Sequence, residues 1–221
     1  MSRDEPEFSI LKREAGAQFA ELVSIYREAI VAPEQKPVSE LAGMLADPRY
    51  SFLIASIQGR TVGFVISYLR PGANFWLLEY VAVDPRLRSH GLGRRLFDAA
   101  ESAAAEVVGD APCLLEVDQP SAAGTPDDDA ARRLRFYRRA GCRRVQGLNY
   151  ILPLDVAGPP SAMWLLVRGL EQQERVAKAD VADWLTEIYV EVYGQDADDP
   201  RIEKMLSFAN GDDDLMLVDL D

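Results

Sequence analysis

Apolar and polar residues alternate along the chain with two different periods, and the changes of period mark out the elements. A first short run at 7–11 suits a β-strand. After it, Phe19, Leu22, Val23, Tyr26, Ala29 and Ile30 fall on one face at helical spacing, which predicts a helix of about 15 residues stopped by Pro33. A short helix over 39–45 follows, with Asp47-Pro48 as its stop. Residues 50–57 and 61–69 read as two β-rich runs joined at Gln58-Gly59-Arg60, a hairpin signal. Residues 75–83 form a third run, apolar throughout except for Glu79. Next come a helix over 91–108, a strand over 113–117 and an arginine-rich helix over 129–140 that leads to Gly141. Strands at 145–152 and 163–167 close this part. Strands and helices interleave in this order, so the expected fold class is α/β with a mixed sheet.

Beyond a loop at 155–161 the pattern is helical. Val181, Trp184, Leu185, Ile188, Tyr189 and Val192 predict one helix, with Gly194 as its stop. A second helix is expected from Asp199-Pro200 to about Ala209, with Ile202, Met205 and Leu206 inward. The expected division is therefore a core at 1–152, followed by a final strand and a helical extension at 153–221.

Charge sharpens this division. The chain of 221 residues has 24 Lys and Arg against 36 Asp and Glu, a net of −12. Residues 1–170 carry 20 basic and 21 acidic side chains, whereas 171–221 carry 4 and 15, so the acidity belongs to the extension. A near-neutral body argues against nucleic acid as a partner, even with seven arginines between Arg132 and Arg144. The plain account of those arginines is a solvated helix face paired with Asp127–Asp129, and some of them could also steer anions. With no long apolar run and no apolar signal core at the start, the expectation is a cytoplasmic protein that does not bind membrane. Two cysteines, Cys113 and Cys142, and one histidine are too few for a structural metal site, so no metal is expected.

The chemistry concentrates in 78–96. A strand ends at Val83, Asp84-Pro85 turns the chain, and a glycine-bearing loop opens directly into a helix. Such a junction points unpaired N–H groups and the positive end of the helix dipole at one spot, which makes an anion site. Gly91 and Gly93 leave room for a phosphate, and Arg88, Arg94 and Arg95 add charge. Neither of the common nucleotide loops fits. The P-loop needs Lys-Ser/Thr where Arg94-Arg95 stand, and the dinucleotide fingerprint needs a glycine at Leu96.

The remaining pattern, Arg88-x-x-Gly91-x-Gly93 after a strand ending Val-Asp-Pro, resembles the acetyl-CoA motif of the GNAT superfamily of N-acetyltransferases, and the order of elements over about 7–152 is similar to that family's. The segment Ala131-Arg-Arg-Leu-Arg-Phe-Tyr-Arg-Arg-Ala-Gly141 resembles its late helix. The resemblance implies acetyl-CoA as co-substrate, held by the backbone of Val81, Ala82 and Val83 and by Arg88, Ser89, His90, Gly91, Leu92, Gly93 and Arg94. It implies that the strand at 79–83 splays from the next one. It also places Tyr137 near the CoA sulfur as the acid that protonates the thiolate, the alternative being a plain core tyrosine. Glu116 matches a glutamate that serves as base in some members, and Glu79 is the other candidate, with a water chain as a substitute for either. The chain departs from the pattern at Asp128-Asp129-Ala130, where Asn is frequent, and at Cys142, where Phe is frequent.

These features imply direct transfer of an acetyl group to a primary amine, of a small molecule or a peptide. Transfer of another acyl group remains open, as does a catalytically silent CoA-binding module. The early helices, about 19–45, are expected to contact the acceptor. If the acidic extension lies beside the acceptor opening, its field favours a cationic amine. Trp184, Tyr189 and Tyr193 on this acidic segment suggest a partner or homodimer surface.

Overall fold

The computed structural model describes residues 5–14, 16–88, 91–120, 129–153, 163–208 and 214–220. The chain forms two compact units, 1–111 and 112–221.

In the first unit, β1 (Glu7–Ile10), β2 (Tyr50–Ile57), β3 (Arg60–Tyr68) and β4 (Trp76–Val83) form an antiparallel meander. The β2–β3 hairpin turns on Gln58 and Gly59 alone, both at positive φ (50° and 75°), the backbone a two-residue turn needs to follow the strand twist. Helices α1 (Ala17–Ala29) and α2 (Val38–Ala46) cover one face, where Leu22, Tyr26 and Leu41 meet Ile54, Phe64 and Ile66. Side chains alternate along β3, so Gly63 points the other way, toward Leu96 of α3 (Leu92–Val108). A Cβ at Gly63 would lie 2.8 Å from Leu96 Cδ1 and 2.9 Å from the Ala82 carbonyl, so glycine here lets α3 and β4 approach β3.

In the second unit, β5 (Cys113–Asp118) pairs antiparallel with β7 (Met163–Arg168), β7 with β6 (Arg143–Val145), β6 with β9 (Leu215–Asp219), and β9 with β8 (Arg175–Val176). Helices α4 (Asp129–Arg139), α5 (Lys178–Glu187) and α6 (Pro200–Leu206) complete it, with a π-helical segment, Ile188–Val192, continuing α5.

Three expectations need correction here. The strand expected at 145–152 ends where it was to begin: β6 stops at Val145, Gly147 takes φ 81° under the Phe208 ring, and Tyr150 keeps only an isolated bridge to Met163. The extension is also not purely helical. It ends in β9, whose Leu215 and Leu217 are buried while the alternate positions are more open. The helix expected to run to Ala209 stops at Leu206, and Ala209 lies outside the described residues, as does the loop at 155–161. Trp184 and Tyr189 are buried in the second unit's own core, and Tyr193 is half-buried.

One local device recurs at three element boundaries. In Asp47-Pro48-Arg49, Asp84-Pro85-Arg86 and Asp199-Pro200-Arg201, the aspartate accepts the arginine N–H at 2.9, 3.0 and 2.9 Å, and the guanidinium closes back on the same carboxylate. Proline fixes φ and has no N–H to satisfy, so the next donor in the chain is the arginine amide. The arginine holds each carboxyl below its usual range, against burial that pushes it up.

Candidate functional site

The β4–α3 junction has the geometry expected of the motif. Against β3, residue Ile66 pairs with Tyr80 and Ser67 with Leu78, so Glu79 is an extra residue, a β-bulge. A bulge interrupts the ladder and re-aims side chains. Here both Glu79 and Tyr80 lean toward the α1–α2 face, where Tyr50 hydrogen bonds to the Glu79 carboxylate and the Tyr80 ring packs edge-on against Tyr26 at 5.1 Å. Burial, together with the Glu79 charge and hydrogen bond, pushes the Tyr50 phenol far up, so it stays a neutral donor.

Past the bulge, Val81, Ala82 and Val83 run to Asp84, which caps the 3-10 turn Pro85–Leu87. Gly91 then takes the left-handed conformation (φ 75°) as N-cap of α3. The first bond of that helix runs from Arg95 N to Gly91 O at 3.2 Å, which leaves the amides of Leu92, Gly93 and Arg94 ahead of the ladder, as an anion site requires. A Cβ added at Gly91 would meet nothing within 4 Å, so this backbone borders open space that a phosphate can enter. Arg88 precedes the loop and Arg94 pairs with Asp98 at 2.9 Å on the exposed side of α3. Ser89 and His90 lie outside the described residues. The donor set of consecutive amides with flanking guanidinium groups therefore fits a pyrophosphate.

Glu116 and Tyr137 belong to the second unit. Glu116 is on β5, and both of its oxygens accept from phenols: Oε1 from Tyr150 and Oε2 from Tyr193 at 2.6 Å. Tyr189, four residues before Tyr193, donates to the Ile151 carbonyl, and Met205 Sδ accepts from Ile151 N at 3.2 Å. The acidic extension thus docks on β5 and the segment around Ile151. Burial foremost, then the Glu116 charge and hydrogen bond, push Tyr150 well up. Tyr137, on α4, is 6 % exposed and raised mainly by burial, with Arg133 opposing. It lies near Cys113 and Cys142, both buried and free. Along α4, Arg133 reaches Asp118 at 3.6 Å, a partner the local sequence did not suggest; Asp127 and Asp128 lie outside the described residues.

The bulge at Glu79 and the phenols on Glu116 escaped the sequence reading. A lone carboxylate in an apolar run hinted at the first, whereas Tyr193 is 77 positions from Glu116 and left no local signal. Among the described residues no His, Cys, Asp and Glu group could hold a metal ion, and no helix is long and apolar enough to cross a membrane.

Comparison with known proteins bears on the family and the fold. The family model described as "Acetyltransferase (GNAT) family" matches residues 19–142. A GNAT-family protein from Bacteroides thetaiotaomicron is similar to this chain, at 21 % identity with TM-score 0.66, covering 86 % of this chain and 99 % of that one. The ribosomal-protein-S18-alanine N-acetyltransferase from Escherichia coli is 17 % identical with TM-score 0.54, covering 73 % and 92 %. An aminoglycoside 6'-N-acetyltransferase solved with coenzyme A is 18 % identical with TM-score 0.55, covering 73 % and 96 %. Among curated proteins no relative matches. At these identities the solved structures speak for the fold, an α+β architecture of the GNAT acyltransferase type, and the family match settles membership: the chain belongs to the GNAT acetyltransferase family.

Proposed function

We propose that this protein is an acetyl-CoA-dependent N-acetyltransferase that moves the acetyl group directly to a primary amine. The observation that carries this reading is the bulged β4 running into the left-handed Gly91 at the mouth of α3. Amides of residues 91–94 with Arg88 and Arg94 hold the pyrophosphate, the backbone of Val81, Ala82 and Val83 holds the pantetheine arm, and residues 1–152 carry the transfer machinery. The co-substrate supplies an acetyl thioester, which is also what a CoA-bound relative suggests.

In this reading Glu79 takes the proton from the acceptor ammonium, since an ammonium has no lone pair with which to attack. Glu79 sits in the bulge of the strand that holds the thioester arm, beside the helices expected to contact the acceptor. Glu116 is the weaker candidate because two phenols already donate to both of its oxygens. Tyr137, kept neutral by burial, donates the proton to the departing sulfur.

The test is thiol release from acetyl-CoA over a panel of amines, with Tyr137→Phe beside the wild type. Loss of a general acid lowers kcat by about 10²–10⁴-fold. A wild-type chain that binds CoA and releases no thiol with any amine is a silent binding module, and the proposal fails. Faster release from a longer acyl-CoA instead assigns a different acyl group.

A further inference from the structure

Beside the candidate base lies an ammonium of the protein's own. Lys36 precedes α2, and its Nζ bonds Glu40 Oε1 at 2.7 Å. The two side chains differ in exposure, 17 % for Lys36 against 48 % for Glu40, so an enclosed cation is covered from the solvent side by a carboxylate at the surface. The Glu79 carboxylate also acts on this ammonium. Burial pulls the Lys36 pKa down, but the Glu40 hydrogen bond and the charges of Glu79 and Glu40 outweigh it, leaving Lys36 raised and cationic.

The position of Lys36 is built, not incidental. Its backbone N–H donates to the Tyr26 hydroxyl at 2.8 Å, and the Tyr80 hydroxyl donates to the Glu34 carbonyl at 3.3 Å. Tyr26 and Tyr80 are themselves in edge contact, so the segment ahead of α2 is stapled to the bulge of β4. Tyr26 and Tyr80 thus tie Lys36 to the β4 bulge that carries Glu79, whose charge acts on the Lys36 ammonium.

We propose that the acceptor is a free α-amino acid, its ammonium meeting Glu79 and its carboxylate taking the place of Glu40 on Lys36. The proposal rests on the reading of Glu79 as the base. Glu40 is about half exposed, so a substrate carboxylate arriving from solvent can take its place on Lys36. A second positive charge, as in a polyamine, would meet Lys36 in repulsion, and an esterified carboxyl could not replace Glu40. In the reaction the acceptor ammonium gives one proton to Glu79. Its nitrogen bonds the acetyl carbon as the carbon–sulfur bond breaks, Tyr137 protonates the sulfur, and the remaining excess N–H proton restores Tyr137. The products are the N-acetyl amino acid, the thiol and one released proton.

The test compares the common amino acids, their methyl esters, the corresponding decarboxylated amines and spermidine in thiol release, using wild type, Lys36→Met and Lys36→Arg. At least one amino acid is expected to exceed its ester and its decarboxylated amine tenfold or more in kcat/KM. Lys36→Met should erase that preference through KM, and Lys36→Arg should keep part of it. Esters or spermidine equal to the acids, or a preference that survives Lys36→Met, would overturn the proposal. Calorimetric titration of the CoA-loaded protein with the same pairs reads the preference as binding. Absence of turnover thus counts against the transferase reading, while equal binding of acid and ester counts against the amino-acid site.

Discussion

Three glycine-to-alanine substitutions separate close packing from backbone strain with a single added methyl group. At Gly63 the new Cβ would stand 2.9 Å from the Ala82 carbonyl oxygen and 3.4 Å from Val83 Cα, both backbone atoms, and 2.8 Å from Leu96 Cδ1 in the core. Leu96 is fully buried and cannot swing away, so β3, β4 and α3 must move apart. Overpacking of this kind costs about 1–3 kcal/mol. With two of three contacts rigid, the upper part of that range is expected, a fall in Tm of about 4–12 °C for a chain of this size. At Gly91 the added Cβ meets open space, and only the φ of 75° penalises it, by about 1 kcal/mol. At Gly43, inside α2 with nothing within 4 Å, alanine should stabilise by about 0.5–1 kcal/mol. Thermal and urea unfolding of the three variants should give Gly43→Ala above wild type, Gly91→Ala slightly below and Gly63→Ala lowest. Because Ala82 and Val83 are the displaced neighbours, Gly63→Ala should also raise KM for acetyl-CoA. A Gly63→Ala protein as stable as wild type would refute the close approach of α3 and β4 to β3.

Two further outcomes follow from the hydrogen bonds. Tyr193→Phe removes the donor to Glu116 Oε2, and urea unfolding should show a loss of about 1–3 kcal/mol, with Tyr150→Phe at least as damaging; unchanged stability in both would contradict the docking of the extension on β5. Asp84 has its folded pKa lowered by Arg86, so its contribution is complete above the unfolded value of about 3.9 and is lost as pH falls through the folded value. The stability gap between wild type and Asp84→Asn should therefore be constant near neutrality and narrow below about pH 4, and a gap that widens in acid would reverse the assigned sign.

The sequence made the meander, α1, α2, α3 and the anion loop legible because each is signalled by residues close together in the chain. Alternation marks β2 and β3, and the glycines after Asp84-Pro85 mark the mouth of α3. Residues 145–152 misled because their apolar positions pack under the extension instead of pairing as a strand, with Gly147 making room for Phe208. β9 was hidden by acidic residues on both flanks, although Leu215 and Leu217 carry the period of two. The site was legible as a set of residue types, not as contacts. The bulge that turns Glu79 and Tyr80 to one face depends on register with β3, and the occupancy of Glu116 depends on two tyrosines from distant segments.

The central claim is that the loop opening α3 holds the phosphates of acetyl-CoA. Isothermal titration of the purified chain with acetyl-CoA tests it most directly, alongside Arg88→Ala and Gly91→Asp. The account predicts one saturable site in the wild type, weaker binding in Arg88→Ala and none detectable in Gly91→Asp, where a carboxylate would enter the anion's space. No heat in the wild type at millimolar acetyl-CoA, or equal affinity in all three proteins, would contradict it.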